Sequence, residues 1–446
     1  MLRPPYSPSS IDRGNNIIHN GVQEDERIAA TWLLGALEQG HRVRDKVRLA
    51  YLVSHPIQYQ APLLRRIAQE PDIDLTVFFG SDFSVRDYKD EGFGVGVKWD
   101  VPLLDGYRYE FLPCLRDIGT QTFSSPLNYD IFSRLRGGGT TPQFDVLWVH
   151  GYAMVNALHG MLAAKALGIP VLIRGDMWLR DRPRSGPKLL LKKLFFQLLK
   201  ELVNGVLTVG TLNEAYWEHH LGDEIPRFKM PYAVDNAYFQ QRSIEARASR
   251  DELRKELDID AGRPVILFAS KLQRRKSCDD LLEAYKNLTA MSGPVPYLVI
   301  VGDGEERTRL EEQVRAEGLS GVRFCGFRNQ SELPRFFDLA SVFVLPARHE
   351  PWGLIVNEVM NAGRAVILSD DVGCQPDLVT DGVEGRVFPV GDVGALTDAL
   401  RQVLASPRTV EEMGERALAK INTWSFEEDI QALRKALAQV THRLAE

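Results

Sequence analysis

The feature that most constrains the fold is a regular alternation of short apolar segments with amphipathic ones, which starts near residue 46. The first series of apolar segments lies at residues 48–55, 74–81, 144–151, 169–176 and 205–211. The second lies at residues 264–270, 296–302, 322–326, 341–346 and 365–370. Strands that are apolar throughout and separated by helices form parallel sheets covered on both faces. We therefore predict an α/β chain with two Rossmann-like, doubly wound parallel sheets.

The break between the two series sets the predicted domain boundaries. A polar, arginine-rich segment follows PYAVDNAYF, and a length of 446 residues suits two domains with an extension. We predict a poorly ordered extension over residues 1–45 and a first Rossmann-like domain over residues 46–230, joined by the C-terminal helix 425–446. A second Rossmann-like domain is predicted over residues 231–424, with a cleft between the two.

Composition limits the partners and the compartment. A net charge of −6 argues against nucleic acid as a partner, which requires a basic surface. The four cysteines are scattered, without the spacing of a disulfide framework or a zinc site. No apolar run approaches the ~20 residues of a membrane span, and the N-terminus lacks the regions of a signal peptide. We expect a cytoplasmic protein without a metal.

The segment RHEPWGLIVNE, which ends at Glu358, carries the strongest functional signal. Glu350 follows a predicted strand, and a helix is expected to begin near Trp352. The backbone N–H groups of Gly353 and Leu354 would then form an anion site at the positive end of the helix. Glu358 lies about one turn further along. An acidic first turn that merely complements the helix dipole is the alternative.

Two lysines point to the same edge of the second sheet. Lys271 ends one predicted strand and Lys276 follows in the next loop, where together they could neutralise a diphosphate leaving group without a metal. A solvated basic loop is the alternative. Gly302, Phe327 and Arg328 follow neighbouring strands and are predicted to form further walls of a nucleotide pocket.

These motifs together resemble the donor-binding domain of glycosyltransferase family 4, and the similarity extends over residues 47–435. The matching segments are Glu-x7-Glu at Glu350 and Glu358, the lysine pair, VGDGEER, GFRNQSELPRFFDLASVFVLPA and AVILSDDVGCQPDLV through DGVEGRVFPVGD. The resemblance implies the GT-B fold and a retaining, metal-independent glycosyltransferase of the hexosyltransferase type. Its co-substrate would be a nucleotide-diphosphate sugar, with no further cofactor.

The resemblance also implies residue roles. Glu350 would contact hydroxyls of the donor sugar, and Glu358 the ribose. Gly353 and Leu354 would offer N–H groups to phosphate or sugar, and the backbone near Phe327 and Arg328 would face the base. The residues expected to act in catalysis are His150, Glu350, Lys271 and Lys276.

This chain departs from the usual family pattern at several positions. Ser270 and Lys271 stand where glycine and arginine are usual, so a diphosphate would meet two point charges. Trp352 replaces a more usual phenylalanine, and Asp377 stands where glutamate is common.

The first half offers candidates for the acceptor side of the cleft. His150 ends a predicted strand and matches a histidine that the family places near the donor sugar. It could hydrogen-bond a sugar hydroxyl or stabilise developing charge, or be purely structural. His55 and Gln58 follow the first strand and could touch donor or acceptor. Asp176 also lies at a strand end, where it could equally be a cap.

Residues 179–202 combine lysines and arginines with a leucine and phenylalanine stripe. Such a basic amphipathic segment can lie on an anionic membrane surface. The commoner alternative is a helix whose apolar side packs on the first sheet. Membrane contact would place the protein peripherally on the inner face of the cell membrane.

Three other functional classes stay open at this point. A nucleotide-sugar epimerase on the same scaffold would convert the donor without an acceptor, and a non-catalytic sugar-nucleotide binding protein would show no turnover. An oxidoreductase is disfavoured, because SHPIQY stands where GxGxxG would follow the first strand. Family habits suggest a saccharide or lipid-linked acceptor, in surface polysaccharide or glycolipid assembly.

Overall fold

The computed structural model describes residues 46–86, 88–89, 96–179, 186–291 and 295–441. The described residues from Val47 onward group into one compact unit. The extension predicted over residues 1–45 lies outside the described residues. The predicted domain boundaries stay predictions.

The first half of the chain forms one large parallel sheet. The strands of this half are β1 Val47–Val53, β2 Ile73–Phe79, β3 Tyr88–Lys89, β4 Gly96–Val97, β5 Arg108–Phe111, β6 Cys114–Arg116, β7 Leu127–Asn128, β8 Val146–His150, β9 Val171–Arg174, β10 Gly205–Thr208 and β11 Arg227–Lys229. Seven of these pair in the order β11-β10-β9-β8-β1-β2-β5, and every pairing is parallel. β3 with β4 and β6 with β7 form two small antiparallel pairs.

The second half forms a parallel sheet of six strands. They are β12 Val265–Ala269, β13 Tyr297–Val301, β14 Val322–Gly326, β15 Val342–Leu345, β16 Ala365–Ser369 and β17 Gly385–Phe388. Their order is β14-β13-β12-β15-β16-β17, so the chain reverses direction across the sheet between β12 and β15. Ligands in doubly wound sheets bind at the carboxyl ends of the strands, near such a reversal.

Helices connect the strands. They are α1 Ala61–Ala68, α2 Ile131–Arg136, α3 Val155–Ala166, α4 Gly186–Lys200, α5 Thr211–Leu221, α6 Asn236–Ala246, α7 Arg250–Glu256, α8 Cys278–Thr289, α9 Arg307–Ala316, α10 Leu333–Leu339, α11 Leu354–Asn361, α12 Gln375–Leu378, α13 Val393–Val403, α14 Pro407–Ile421 and α15 Phe426–Thr441.

Each sheet is buried on both faces, because successive side chains of a strand point to opposite sides. In β1, Leu52 belongs to the core that also contains Trp217 of α5, whereas Tyr51 belongs to the core that contains Leu433 of α15. Fully burying a side chain of this size contributes about 1.5–3 kcal/mol. This two-sided burial explains why the strands are apolar throughout.

The last helix, α15, packs on the first sheet although it follows the second sheet in sequence. Arg174 at the end of β9 forms a buried ion pair with Asp429 of α15 at 3.2 Å. The same guanidinium donates hydrogen bonds to the carbonyl oxygens of Met230 and Pro231, in the segment between the two sheets. One buried cation thus links the first sheet, the connecting segment and the last helix.

Two of the departures from the family pattern, Trp352 and Asp377, lie where the halves of the chain meet. Trp352 stacks on Trp424, which precedes α15, with ring centroids 5.8 Å apart. Asp377 accepts hydrogen bonds from the backbone N–H and the hydroxyl of Thr211 at 2.7 and 2.8 Å, and pairs with Lys229 at 3.0 Å. Because Thr211 begins α5, the carboxylate of Asp377 caps a helix of the other half.

Candidate functional site

A pocket of about 260 Å³ lies between the two sheets, at the carboxyl ends of β12, β13, β14 and β15. The second half contributes Lys271, Lys276, Gly302, Phe327, Arg328, Glu350, Gly353, Leu354 and Glu358 to its lining. These are the residues predicted to bind the donor. The first half contributes Gln58 and Trp99.

Two loops bring Glu350 and Lys276 together in this pocket. A single 3-10 turn over residues 274–276, directly before α8, directs Lys276 inward, where its side chain is buried. The loop after β15 runs alongside, because the N–H of Arg348 donates to the carbonyl oxygen of Arg275 at 2.7 Å. The Lys276 ammonium pairs directly with the Glu350 carboxylate, and the Arg275 guanidinium donates to the same oxygen at 3.1 Å.

The charge on Glu350 is set by these neighbours. Burial alone would raise the pKa of Glu350, but Lys276 and Arg275 outweigh burial and hold that pKa below its ordinary value. Glu350 is therefore an ionised, buried carboxylate with two cationic partners. Sequence reasoning assigned Lys276 to phosphate and Glu350 to the sugar, and it missed both their direct pairing and the contribution of Arg275.

Helix α11 begins two residues later than expected, at Leu354 rather than near Trp352. Gly353 is its N-cap, with a φ of 91° that other residues adopt only with strain. This left-handed residue ends the loop that carries Glu350. The first N–H groups of a helix have no partner one turn back within the helix, and no side chain caps them here. The N–H of Val356 donates to the carbonyl oxygen of Gly353 at 2.9 Å. The start of α11 offers the pocket a positive helix end suited to a phosphate.

Glu358 lies one turn into α11 and is buried. Burial raises its pKa to about 8, so at neutral pH this carboxyl group is mostly protonated. A second cavity of about 260 Å³ shares Glu358, Gln58 and Gln330 with the first. Glu358 therefore faces two adjoining cavities, which together could accommodate an extended ligand.

Gly302 positions the loop that carries Lys271. Its φ is 135°, and a Cβ at this position would lie 1.9 Å from the carbonyl oxygen of Ser270. Only glycine lets the turn after β13 pack this closely against the end of β12. The pocket wall predicted at VGDG thus depends on backbone approach between two strand ends.

The opposite wall follows β14 and includes Phe327 and Arg328. Arg328 pairs with Glu332 at 3.1 Å. A segment of the first half reaches this wall, since Asn329 donates to the carbonyl oxygen of Lys98 at 2.6 Å. Trp99 therefore enters the pocket lining from the other sheet, a contribution that no sequence motif indicated.

His150 ends β8 at the carboxyl edge of the first sheet, outside the lining of the pocket. Burial lowers its pKa to about 3, with Arg174 adding to the effect, so the imidazole is neutral. A neutral ring can exchange hydrogen bonds with a hydroxyl but cannot supply a positive charge. Gln60, which sequence reasoning missed, places its amide nitrogen 3.1 Å from the ring nitrogens and accepts from the hydroxyl of Tyr51 at 2.7 Å.

The remaining first-half candidates lie at neighbouring strand ends. His55 stacks on Phe83 and is within 2.8 Å of the amide of Gln121, a second residue missed from sequence. Burial raises the pKa of Asp176, and the negative charge of Glu350 adds to the rise. Asp176 and Glu350 thus lie within electrostatic range of each other, although they come from different sheets.

Two general features of the described residues bear on function. Within them, no group of three or more His, Cys, Asp or Glu side chains could hold a metal ion. No helix in that part of the chain is long and apolar enough to cross a membrane.

Residues 249–420 match the family described as glycosyl transferases group 1. The chain is also 31% identical over 265 residues to an alpha-D-kanosaminyltransferase from Streptomyces kanamyceticus, which covers 58% of this chain and 68% of that protein. The chain belongs to this family. The prediction of a glycosyltransferase is thereby confirmed.

Other members of the family match over shorter lengths. The glycosyltransferase is 32% identical over 164 residues to the lipopolysaccharide core biosynthesis glycosyltransferase LpsE of Rhizobium meliloti. That match covers 36% of this chain and 46% of LpsE, so the chain spans about half the length of this relative.

Solved structures confirm the predicted GT-B fold. A sucrose-phosphate synthase from Thermosynechococcus elongatus superposes with a TM-score of 0.64 at 18% identity, covering 89% of this chain and all of that one. HepE from Anabaena, solved in complex with UDP, gives a TM-score of 0.66 at 16% identity and covers 88% and 99% of the two chains. At these identities the similarity concerns the fold.

Proposed function

We propose that this glycosyltransferase is a retaining member of family 4 that moves a sugar from a nucleotide-diphosphate sugar to an acceptor hydroxyl. The observation that carries the proposal is the shared pocket of Lys271, Lys276, Glu350, Glu358 and the start of α11. It combines cationic side chains and a helix start without a side-chain cap with two carboxyl groups, which suits a diphosphate joined to two polyhydroxy rings. The Glu-x7-Glu spacing supports family 4.

The diphosphate would bind at the start of α11, next to Lys271 and Lys276. These groups stabilise the negative charge that develops as the sugar leaves, and no metal is required in this scheme. Lys276 already has a carboxylate partner, Glu350, in the pocket. Its charge would therefore be shared between Glu350 and the arriving phosphate.

Glu350 would accept hydrogen bonds from hydroxyls of the transferred sugar, and Glu358 from the ribose. Neither carboxyl group acts as a nucleophile or general acid in this scheme, in contrast to the carboxylate pair of a glycosidase. The acceptor hydroxyl attacks from the face that the diphosphate leaves, so the anomeric configuration is retained. Neutral His150 would orient a hydroxyl on the first-sheet side.

The acceptor is proposed to be a saccharide or a lipid-linked molecule. LpsE is named for lipopolysaccharide core biosynthesis, which supports a proposed role in the assembly of a surface polysaccharide or glycolipid. We also propose peripheral contact with an anionic membrane, on the inner face of the cell membrane, through residues 179–202. Residues 180–185 of that segment lie outside the described residues.

A thermal-shift screen against nucleoside diphosphates and their sugars tests the donor half of the proposal. A ligand present at 100 times its Kd stabilises the fold by about 2.7 kcal/mol. We expect at least one nucleoside diphosphate to raise the Tm, and the corresponding sugar nucleotide to be consumed only when an acceptor is added. Conversion of the donor alone would indicate an epimerase, and binding without turnover on any acceptor would indicate a sensor.

Replacing Glu350 tests its role in transfer. Glu350→Ala should nearly abolish transfer, whereas Glu245→Ala, which removes an exposed carboxylate on α6, should leave the rate unchanged. An active Glu350→Ala enzyme would remove this residue from the mechanism.

A further inference from the structure

Helix α4 presents apolar side chains to solvent. Phe196 and Leu199 belong to the core of the first sheet, so one side of the helix is packed as expected. The other side carries Leu190, Leu194 and Leu198, which are four residues apart and form one row, with Leu191 beside them. We call these four residues the leucine face. Their exposed fractions are 49% to 69%, on the side where a helix of a globular protein normally carries polar residues.

Lysines border the leucine face. The helix sequence GPKLLLKKLFFQLLK contains no acidic residue. At about 100° per residue, Lys188 and Lys193 project on opposite sides of the leucine row. The chain as a whole carries a net charge of −6, so this concentration of positive charge is local.

A basic groove adjoins the packed side of the helix. It measures about 650 Å³ and lies between α4 and α5, where Lys192 and Lys193 line it together with apolar side chains such as Leu189 and Phe196. Lys200 also lines it and is paired with Glu224 at 2.5 Å. The leucine face is thus an apolar strip bordered by lysines. An anionic lipid bilayer is complementary to it, because its interior is apolar and its headgroups are negatively charged.

A second copy of the chain is a poorer partner for this face. A symmetric dimer pairs a surface with itself, so lysine borders would meet lysine borders. Like charges across an interface oppose association. An anionic bilayer satisfies the leucines and the lysines at the same time.

We propose that the leucine face of α4 docks on an anionic lipid bilayer, with the leucines entering the acyl boundary and the lysines meeting headgroup phosphates. This gives the proposed membrane contact a defined surface. Trp178, eight residues before α4 in the sequence, lies with its ring 6.2 Å from that of His349, next to Glu350. An acceptor held in the same bilayer would be presented near the pocket, and this last step rests on the proposed function.

Vesicle co-sedimentation of the full chain tests the docking. One vesicle population is phosphatidylcholine alone, and the other contains phosphatidylglycerol at about one lipid in three. We expect the protein to sediment with the anionic vesicles, and less so at high salt. Leu190→Ser/Leu194→Ser/Leu198→Ser and Lys188→Glu/Lys193→Glu should each reduce the apparent affinity by at least about tenfold.

The matched control is Ile244→Ser, which replaces an aliphatic side chain on α6 with a comparable exposure of 53%. It should bind vesicles like the wild type. A Tm shift with nucleoside diphosphate, measured without lipid, should be the same in all variants, so a failure of docking is distinguishable from a failure of donor binding. Undiminished sedimentation of the leucine variant, or no sedimentation of the wild type at low salt, would overturn the proposal. So would a dimer in analytical ultracentrifugation that the leucine variant abolishes.

Discussion

Burial of Glu358 predicts an unusual dependence of stability on pH. Its pKa is raised from 4.5 to about 8, because the carboxyl group lies in the interior at the base of the pocket. Between these values the folded protein keeps the proton, whereas the unfolded chain releases it. The folded state then binds more protons, so the free energy of unfolding must fall as pH rises from about 5 to 8.

The size of the effect follows from the same two values. At about 1.36 kcal/mol per pKa unit, the difference corresponds to roughly 4–5 kcal/mol across that pH range. Glu358→Gln has a similar shape and no titrating group, so it should lack this part of the pH dependence. The free energy of unfolding of the variant minus that of the wild type should therefore be larger near pH 8 than near pH 5.

Urea unfolding of both proteins at pH 5, 6.5 and 8 measures this difference. The stacked Trp352 and Trp424 provide a fluorescence signal from the core of the second half. Subtracting the two pH profiles removes the contribution of every other titrating group that the substitution leaves unchanged. A wild-type minus variant difference that stays constant from pH 5 to 8 would show that Glu358 ionises normally, and would refute the argument from burial.

Three further predictions concern other parts of the fold. Gly302→Ala should lower the free energy of unfolding by more than about 3 kcal/mol, because the new Cβ overlaps a backbone oxygen and φ is 135°; an unchanged urea midpoint would contradict this. Asp377→Ala should lower the free energy of unfolding by about 1–2 kcal/mol, seen as a lower Tm, because it removes the cap on α5. Lys229→Ala should lower it less, because the hydrogen bonds from Thr211 to Asp377 stay intact. His150 has a pKa of about 3, so its titration should not change kcat/KM between pH 5 and 9. His150→Gln should retain more activity than His150→Ala. A pH dependence of kcat/KM in this range that disappears in His150→Gln would show that the ring titrates there.

The sequence alone indicated most strands of the two sheets and the sheet edge at which the pocket lies. Fully apolar segments at short intervals predicted five of the six strands of the second sheet, because strands covered on both faces need no polar side. The sixth, β17, was not predicted. Lys271, Gly302 and Glu350 could be grouped in advance, since the carboxyl ends of parallel strands meet at one edge. That inference depends on chain direction and needs no side-chain coordinates.

Only the tertiary structure decided how these groups interact. Ion pairing of Lys276 with Glu350 depends on the approach of two loops, and the start of α11 depends on the left-handed backbone of Gly353. The pKa of Glu358 depends on burial, which is set by tertiary packing more than by the residues next to Glu358 in sequence. Helical periodicity predicted α4 as amphipathic, but the packing of neighbouring helices decided which of its apolar side chains are covered. Residues such as Gln60 escaped prediction because an ordinary glutamine acquires a role only through contacts that distant parts of the chain provide.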